Sequence, residues 1–210
     1  MTDTYANYAA LAAAETLGVD YRIRASERDP RWVIIAIHAG GIETGMSELC
    51  RAVAGEGETG EAWSEYRFEG IKASGNSALH ITSTNFDEPN GLNLVTRHIG
   101  VVSLHGTTGT SPCTYLGGLD THTLDRIGDA LTAAGFTVDV ATGDIAGSDP
   151  ANIANAGLLE AGAQLEVTTA QRAAWFGTNT AIGRWGSRNA TFEAYVAALR
   201  AVLDGQVEAG

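Results

Sequence analysis

Three side chains in this sequence are of the types that hold a catalytic metal, and a fourth is of the type that moves a proton beside one. His38 and Glu43 follow the apolar run WVIIAI (32–37), separated by AGGI, and His105 ends a second apolar run, IGVVSLH (99–105). Two imidazoles and one carboxylate form a ligand set used by catalytic zinc, with a further coordination position open to water. Gly40 and Gly41 let the backbone turn sharply, so that Glu43 can return to the ion His38 would meet. Zinc acidifies its bound water and polarises a carbonyl, but the chemistry still needs a proton carrier. Glu166, set in AQLEVT (163–168) among apolar neighbours, is the candidate for that general base and acid.

Each of these residues also has a plainer reading. A histidine at a strand end is often structural, and Glu43 could be a helix-start carboxylate favoured by the macrodipole, with Thr44 as the cap. Glu166 could face solvent or an arginine such as Arg172. Two other chemistries are excluded. The glycines are not followed by the lysine and hydroxyl pair of GxxxxGK[ST], and there is no GxSxG elbow. His80, inside LHITST, reads as a packed strand residue, and His98 and His122 as surface groups. NFDEP (85–89) reads equally as a turn or as a wall of the site, and Trp175 and Trp185 as cleft or core.

Positioning such a set requires strands whose ends lie side by side. WVIIAI, ALHITST (78–84), IGVVSLH, FTVDVAT (136–142) and AQLEVT read as strands. Helices are expected around Tyr5, Tyr8, Leu11 and Ala12, from Thr44 to about Ala54, over 121–134 with Gly135 as C-cap, and from Phe192 to Leu203. Interleaved strands and helices predict an α/β fold, a three-layer α/β/α domain over residues 1–210 with a mixed sheet. In such sheets the functional residues gather beyond the carboxyl ends of strands, where His38 and His105 fall.

At 210 residues the chain can bury a full core as one domain. Its formal net charge of -12, with a single lysine, Lys72, disfavours nucleic acid and anionic membranes. No apolar run is long enough for a transmembrane helix, and the acidic start MTDTYANYAALAAAE does not read as a signal peptide. The expected location at synthesis is therefore the cytoplasm, with later release by lysis if phage-encoded. Cys50 and Cys113 make no CxxC pair and read as small packed residues.

Seven segments together resemble the phage-type poly-γ-glutamate hydrolases, zinc enzymes related in fold to the metallocarboxypeptidases. They are IHAGGIETGMSE (37–48), YRFEG (66–70), LHITSTNFDEP (79–89), VVSLHG (101–106), YLGGLD (115–120), NIAN (152–155) and GAQLEVT (162–168). The resemblance implies Zn2+ on His38, Glu43 and His105, with Glu166 as the catalytic glutamate. It implies a γ-glutamyl amide substrate, most simply the anionic polymer, or a small amide such as an N-acyl amino acid. Asn152, Asn155 and Arg172 are the candidate substrate contacts. Two positions depart from the family pattern: Ala156 stands where an arginine usually follows NIAN, and Met46 where threonine is usual. Arg97, Arg172, Arg184 or Arg188 are the candidates to replace that arginine. With a net charge of -12, an anionic polymer requires a local groove of arginines.

Overall fold

A computed structural model describes residues 3–55 and 62–205. Seven strands form one sheet: β1 (Tyr21–Ser26), β2 (Trp32–Gly40), β3 (Ser64–Gly70), β4 (Gly100–Thr107), β5 (Thr114–Gly118), β6 (Val138–Val140) and β7 (Ala163–Thr168). Their order across the sheet is β1-β3-β2-β4-β7-β5-β6. The central strands β3, β2, β4 and β7 run parallel, whereas β1 is antiparallel to β3 and β5 is antiparallel to β7. The mixed sheet expected from the sequence is present. The uninterrupted apolar runs are explained by position, since β2 and β4 lie centrally and are covered on both faces.

Helices α2 (Met46–Val53), α4 (Thr121–Ala133) and α6 (Ala190–Gly205) cover one face, burying Leu49, Ile127, Phe192, Tyr195 and Leu199 against Ile34, Val102 and Leu165. Helices α1 (Tyr8–Ala14) and α3 (Pro89–Val95) cover the other, where Leu11, Leu94 and Val95 pack on Val33, Ile35, Ile37, Tyr66 and Phe68. Alternate residues of β2 therefore serve two separate apolar layers, which is the period-2 logic of a strand inside a three-layer fold. A short helix, α5 (Thr169–Ala173), follows β7 directly.

Three expectations change. The segment 78–84 is not a strand. Gly75, at φ 73°, opens a short 3-10 turn over Asn76–Leu79, and the backbone groups a ladder would use are spent elsewhere. Thr82 N–H donates to Asp3, and the Ile81 carbonyl accepts from His38. Thr44 does not cap α2; the cap position is Gly45 at φ 97°, and the Thr44 carbonyl instead accepts from Arg172. His98 is fully buried, its Nδ1 bonded to the Leu94 carbonyl, rather than a surface group. Strands β1, β3 and β5 were not among the expected strands, although YRIRAS and SEYRFEG carry the charged–apolar alternation of a half-buried strand. Cys50 and Cys113 are both buried and unpaired.

Candidate active site

The site is built at the carboxyl ends of β2, β4 and β7. Pairing of β2 with β3 skips from Ala36 to Ala39 while β3 advances from Arg67 to Glu69. That one-residue bulge falls at Ile37–His38 and re-aims the imidazole, a recurrent use of bulges next to functional sites. Beyond it the chain must reverse within a few residues. Gly40, at φ 69°, leaves no room for a side chain, because a Cβ there would lie 2.4 Å from the Gly70 carbonyl oxygen. The reversal closes with Glu43 N–H donating to the His38 carbonyl at 2.8 Å, which returns the Glu43 carboxylate to its own strand end.

His38 Nδ1 and His105 Nδ1 face one another at 3.1 Å, and Glu43 Oε1 lies 3.2 Å from His38 Nδ1. Glu43 Oε2 lies 4.0 Å from His105 Nδ1 and accepts from Gly106 N–H at 2.7 Å. Both outer nitrogens are engaged: His38 Nε2 bonds the Ile81 carbonyl and His105 Nε2 bonds Ser103 Oγ, each at 2.8 Å. The carbonyl can only accept, so His38 carries a proton on Nε2, and neutral His38 points its lone pair into the gap. When His105 donates from Nε2 to Ser103 Oγ, its Nδ1 is an acceptor too, and two imidazole nitrogens and a carboxylate then converge on one point. Nitrogen ligands on a tetrahedral zinc lie about 3.3 Å apart, given Zn–N bonds of about 2.0–2.1 Å, so the observed spacing fits such an ion. The outer bonds are of the kind that orient metal-binding histidines.

The same electrostatics govern protonation. Burial disfavours the imidazolium of His38, yet the Glu43 charge overrides it and holds the His38 pKa above its ordinary value. Burial and then His38 push His105 down to about 3. Burial alone would raise Glu43, but His38 holds it low.

His80 makes a second grouping with His38 and Glu43, all three offering ligand atoms within 4.8 Å of one another. Its geometry is different. The His80 ring stacks on His38 at 3.9 Å and 25°, so the two lone pairs run side by side, whereas His105 meets His38 at 70° and their lone pairs converge. His80 Nδ1 is held by Asp3 at 2.7 Å. His105 thus turns its Nδ1 toward that of His38, whereas His80 lies alongside the His38 ring in the cavity wall.

Glu166 is the direct in-register neighbour of His105 across β4 and β7. Burial, then the Glu43 charge, push its pKa up to about 8. Its Oε1 accepts from Gln164 Nε2 at 3.1 Å, and Gln164 Oε1 accepts in turn from Asn152 Nδ2 at 2.9 Å. His38, Glu43, His80, His105, Gln164 and Glu166 line one cavity of about 660 Å³, completed by hydroxyls such as Thr82 and Thr107 and by the 143–149 loop.

The remaining candidates are placed unequally. Asn152 and Arg172 line the cavity; Asn155 does not, and both of its amide protons go to the carbonyls of Gly147 and Asp149. The Arg172 guanidinium donates to the carbonyls of Val167, Thr44 and Thr107, tying the Glu43 loop to β7. Ala156 packs against the apolar layer that contains Leu11 and Val101. Arg97 pairs with exposed Glu27, Arg184 with buried Glu48, and Arg188 lies over Trp185, so none of the three lines the cavity. Sequence reasoning passed over Ser103, Gln164, Asp3 and the site position of His80. Ser103 and Gln164 had a signal, because each stands two residues before a site residue on the same strand and so shares its face.

Residues 5–198 match the sequence profile of the poly-gamma-glutamate hydrolase family. The SPbeta prophage-derived UPF0714 protein YoqZ of Bacillus subtilis (strain 168) is 39% identical over 98% of this chain and 73% of its own length. UPF0714 protein YmaC of the same organism is 38% identical over 96% of this chain and 84% of its own length. Among solved structures, a bacteriophage poly-gamma-glutamate hydrolase superposes with a TM-score of 0.93 at 37% identity, covering 100% of both chains. A zinc-free apo structure of YndL gives 0.90 at 35% identity, covering 98% of this chain and 99% of the other. With the profile spanning nearly its whole length, this chain belongs to the poly-gamma-glutamate hydrolase family.

Proposed function

We propose that this chain is a zinc-dependent hydrolase of γ-glutamyl amide bonds, acting on poly-γ-glutamate. The observation that carries the reading is the convergence of His38 Nδ1, His105 Nδ1 and the Glu43 carboxylate on one point, with their outer hydrogen bonds already made. Zinc held there would supply an acidified water and a Lewis acid for the scissile carbonyl. Glu166 takes the proton of the attacking water and returns it to the departing amine. A pKa raised to about 8 suits a group that must both accept and donate near neutrality. Gln164 fixes the carboxylate by donating to Oε1, and Asn152 fixes Gln164. Arg172 contributes a positive charge to the cavity wall and holds the Glu43 loop in place. The hydroxyl-rich wall with Thr82 and Thr107 offers neutral donors to a substrate carboxylate.

The test is loss of poly-γ-glutamate viscosity with wild type, chelator-treated protein and Glu166→Ala. Hydrolysis is expected only from the first. Equal activity in all three would remove the metal mechanism. One observation favours a second reading: Ala156 is packed in an apolar layer, and none of Arg97, Arg184 and Arg188 lines the cavity. An amidase acting on a small N-acyl amino acid needs less anionic grip, and release of free amino acid from such substrates, with the polymer left intact, would select it. A non-catalytic binding domain is disfavoured by the complete set of ligand and proton-carrying side chains.

A further inference from the structure

The net charge of -12 sets a physical problem for an enzyme acting on a polyanion, and the arginines of the catalytic cavity do not solve it. Arg172 is the one cavity arginine among the described residues, and carbonyl oxygens occupy its guanidinium. The positive charge lies elsewhere. Five of the chain's 12 arginines, Arg22, Arg24, Arg28, Arg51 and Arg67, line a groove of about 530 Å³ over β1, β3 and the end of α2.

The strand register builds this groove. On β1 the side chains of Arg22, Arg24 and Ser26 share one face, and their partners on β3 are Glu69, Arg67 and Glu65. Arg22 pairs with Glu69, Arg28 with Glu65, and Arg67 lies between both carboxylates. Arg24 stands directly opposite Arg67. Like charges facing across an antiparallel pair are destabilising. Arg24 is exposed and has no hydrogen bond or ion pair among the described residues, so its charge goes unanswered. A plain charge ladder would place an acid opposite it, and the register places Arg67 there instead. Guanidinium is the group best shaped to take carboxylates in pairs of parallel hydrogen bonds.

The groove also has the right placement. Arg22 pairs with Glu69, and Glu69 pairs with Ala39, the neighbour of His38. The near end of the groove is therefore two strand spacings, about 10 Å, from the strand end that carries the metal site. From there it runs down β1 toward Arg28. We infer that the β1–β3 arginine groove is an exosite for a polycarboxylate chain, holding the carboxylates of a γ-glutamyl polymer whose scissile bond lies in the catalytic cavity. Screening over about 8 Å at physiological salt lets this local charge act despite the net charge of the chain. The inference rests on the polymer reading proposed above.

The experiment measures binding of fluorescently labelled poly-γ-glutamate to zinc-loaded Glu166→Gln protein, alone and with Arg24→Gln, Arg24→Glu or Arg24→Lys. Hydrolysis of the polymer and of a γ-glutamyl dipeptide is followed in the same substitutions on the active background. Arg24→Gln should weaken polymer binding about threefold to tenfold, Arg24→Glu more, and Arg24→Lys least. KM should rise for the polymer alone, with kcat on the dipeptide unchanged, because the dipeptide cannot reach the groove. Unaltered polymer affinity in both Arg24→Gln and Arg24→Glu, with melting curves like the parent's, would overturn the exosite. Equally tight, Arg24-dependent binding of single-stranded DNA would also overturn it, in favour of a general polyanion patch. Arg24-dependent polymer binding without cleavage would sustain the groove and sink the hydrolase reading instead, whereas absence of both binding and cleavage would end both.

Discussion

Glu88 and Glu166 are both buried acids of the same fold, and they are treated in opposite ways. Glu88 begins α3 and is saturated: it accepts from Tyr66 Oη, Asn90 N–H, Asn90 Nδ2 and Gly91 N–H, all between 2.7 and 3.1 Å. Every lone pair has a donor, and the carboxylate serves to seat a helix on Tyr66. Among the described residues Glu166 has one donor, Gln164, and it shares its surroundings with a second carboxylate and two imidazoles whose Nδ1 atoms face each other. Burial without saturation is expensive. A sequence keeps such a cluster where something absent from the chain completes it. On the proposed function, this difference in donor supply sets the acid that seats a helix apart from the one that moves a proton.

The sharpest way to break that comparison is to make the same change at both acids. Glu166→Gln should keep zinc content and melting behaviour while lowering kcat by about 10²–10⁴-fold, the range typical of losing a general acid–base. Glu88→Gln should do the converse, costing about 1–3 kcal/mol of stability through an amide that must present protons to donors. Its kcat per folded molecule should stay at the wild-type value. If zinc-loaded Glu166→Gln hydrolysed the polymer at the parent rate, the contrast between the two acids would collapse.

A second effect is read in the metal-free protein. Glu166 is held near pKa 8 when folded and near its ordinary 4.5 when unfolded, by burial and by Glu43. Between those values the folded state keeps a proton that the unfolded chain has released. The contribution to stability is thus full below about pH 4.5 and is lost as pH rises through about 8. Urea midpoints of metal-free wild type should fall across that window, and Glu166→Gln should fall less. Adding zinc should flatten the wild-type curve, because a divalent cation beside Glu166 favours its ionised form. Parallel curves for wild type and Glu166→Gln would show that Glu166 does not hold the proton.

Much of this site was legible in the sequence, and the reasons are local. His38 and His105 end apolar runs whose uniform hydrophobicity betrays central strands, and the paired glycines mark the reversal before Glu43. AQLEVT forms a strand over the residues expected, because its pattern depends on near neighbours alone. What escaped depends on distant partners. The segment 78–84 has strand composition, but Asp3 and His38 take its backbone groups, contacts separated by 79 and 43 positions in the chain. The placing of five arginines along β1, β3 and α2 escaped as well, because β1 and β3 become neighbours through a register that no local pattern states.

A third prediction concerns how His105 is held. Ser103 Oγ bonds His105 Nε2 from two residues back on the same strand, which leaves His105 Nδ1 facing His38 Nδ1. Outer partners of this kind are worth about 10–100-fold in metal affinity or activity. Ser103→Ala should therefore weaken zinc binding, measured by competition with a chelating dye, by about tenfold or more. Unchanged affinity would mean that burial alone orients the ring.

The smallest expected effect tests which imidazole belongs to the metal. Asp3 accepts from His80 Nδ1 with one oxygen and from Thr82 N–H with the other, both at 2.7 Å, and so pins His80 as a wall beside His38. If His80 is only that wall, Asp3→Asn removes a charge-assisted bond to a side chain outside the coordination sphere. Stability should then drop by about 1 kcal/mol, while zinc affinity stays within about twofold of wild type. If His80 is instead a ligand, Asp3 is its orienting carboxylate, and losing it should cost about tenfold or more in zinc affinity. The stacked ring geometry at 25° argues for the wall, since an ion in the plane of one ring would lie out of the plane of the other. A tenfold loss in Asp3→Asn would transfer the third ligand from His105 to His80, and with it the side of the cavity from which water approaches the carbonyl.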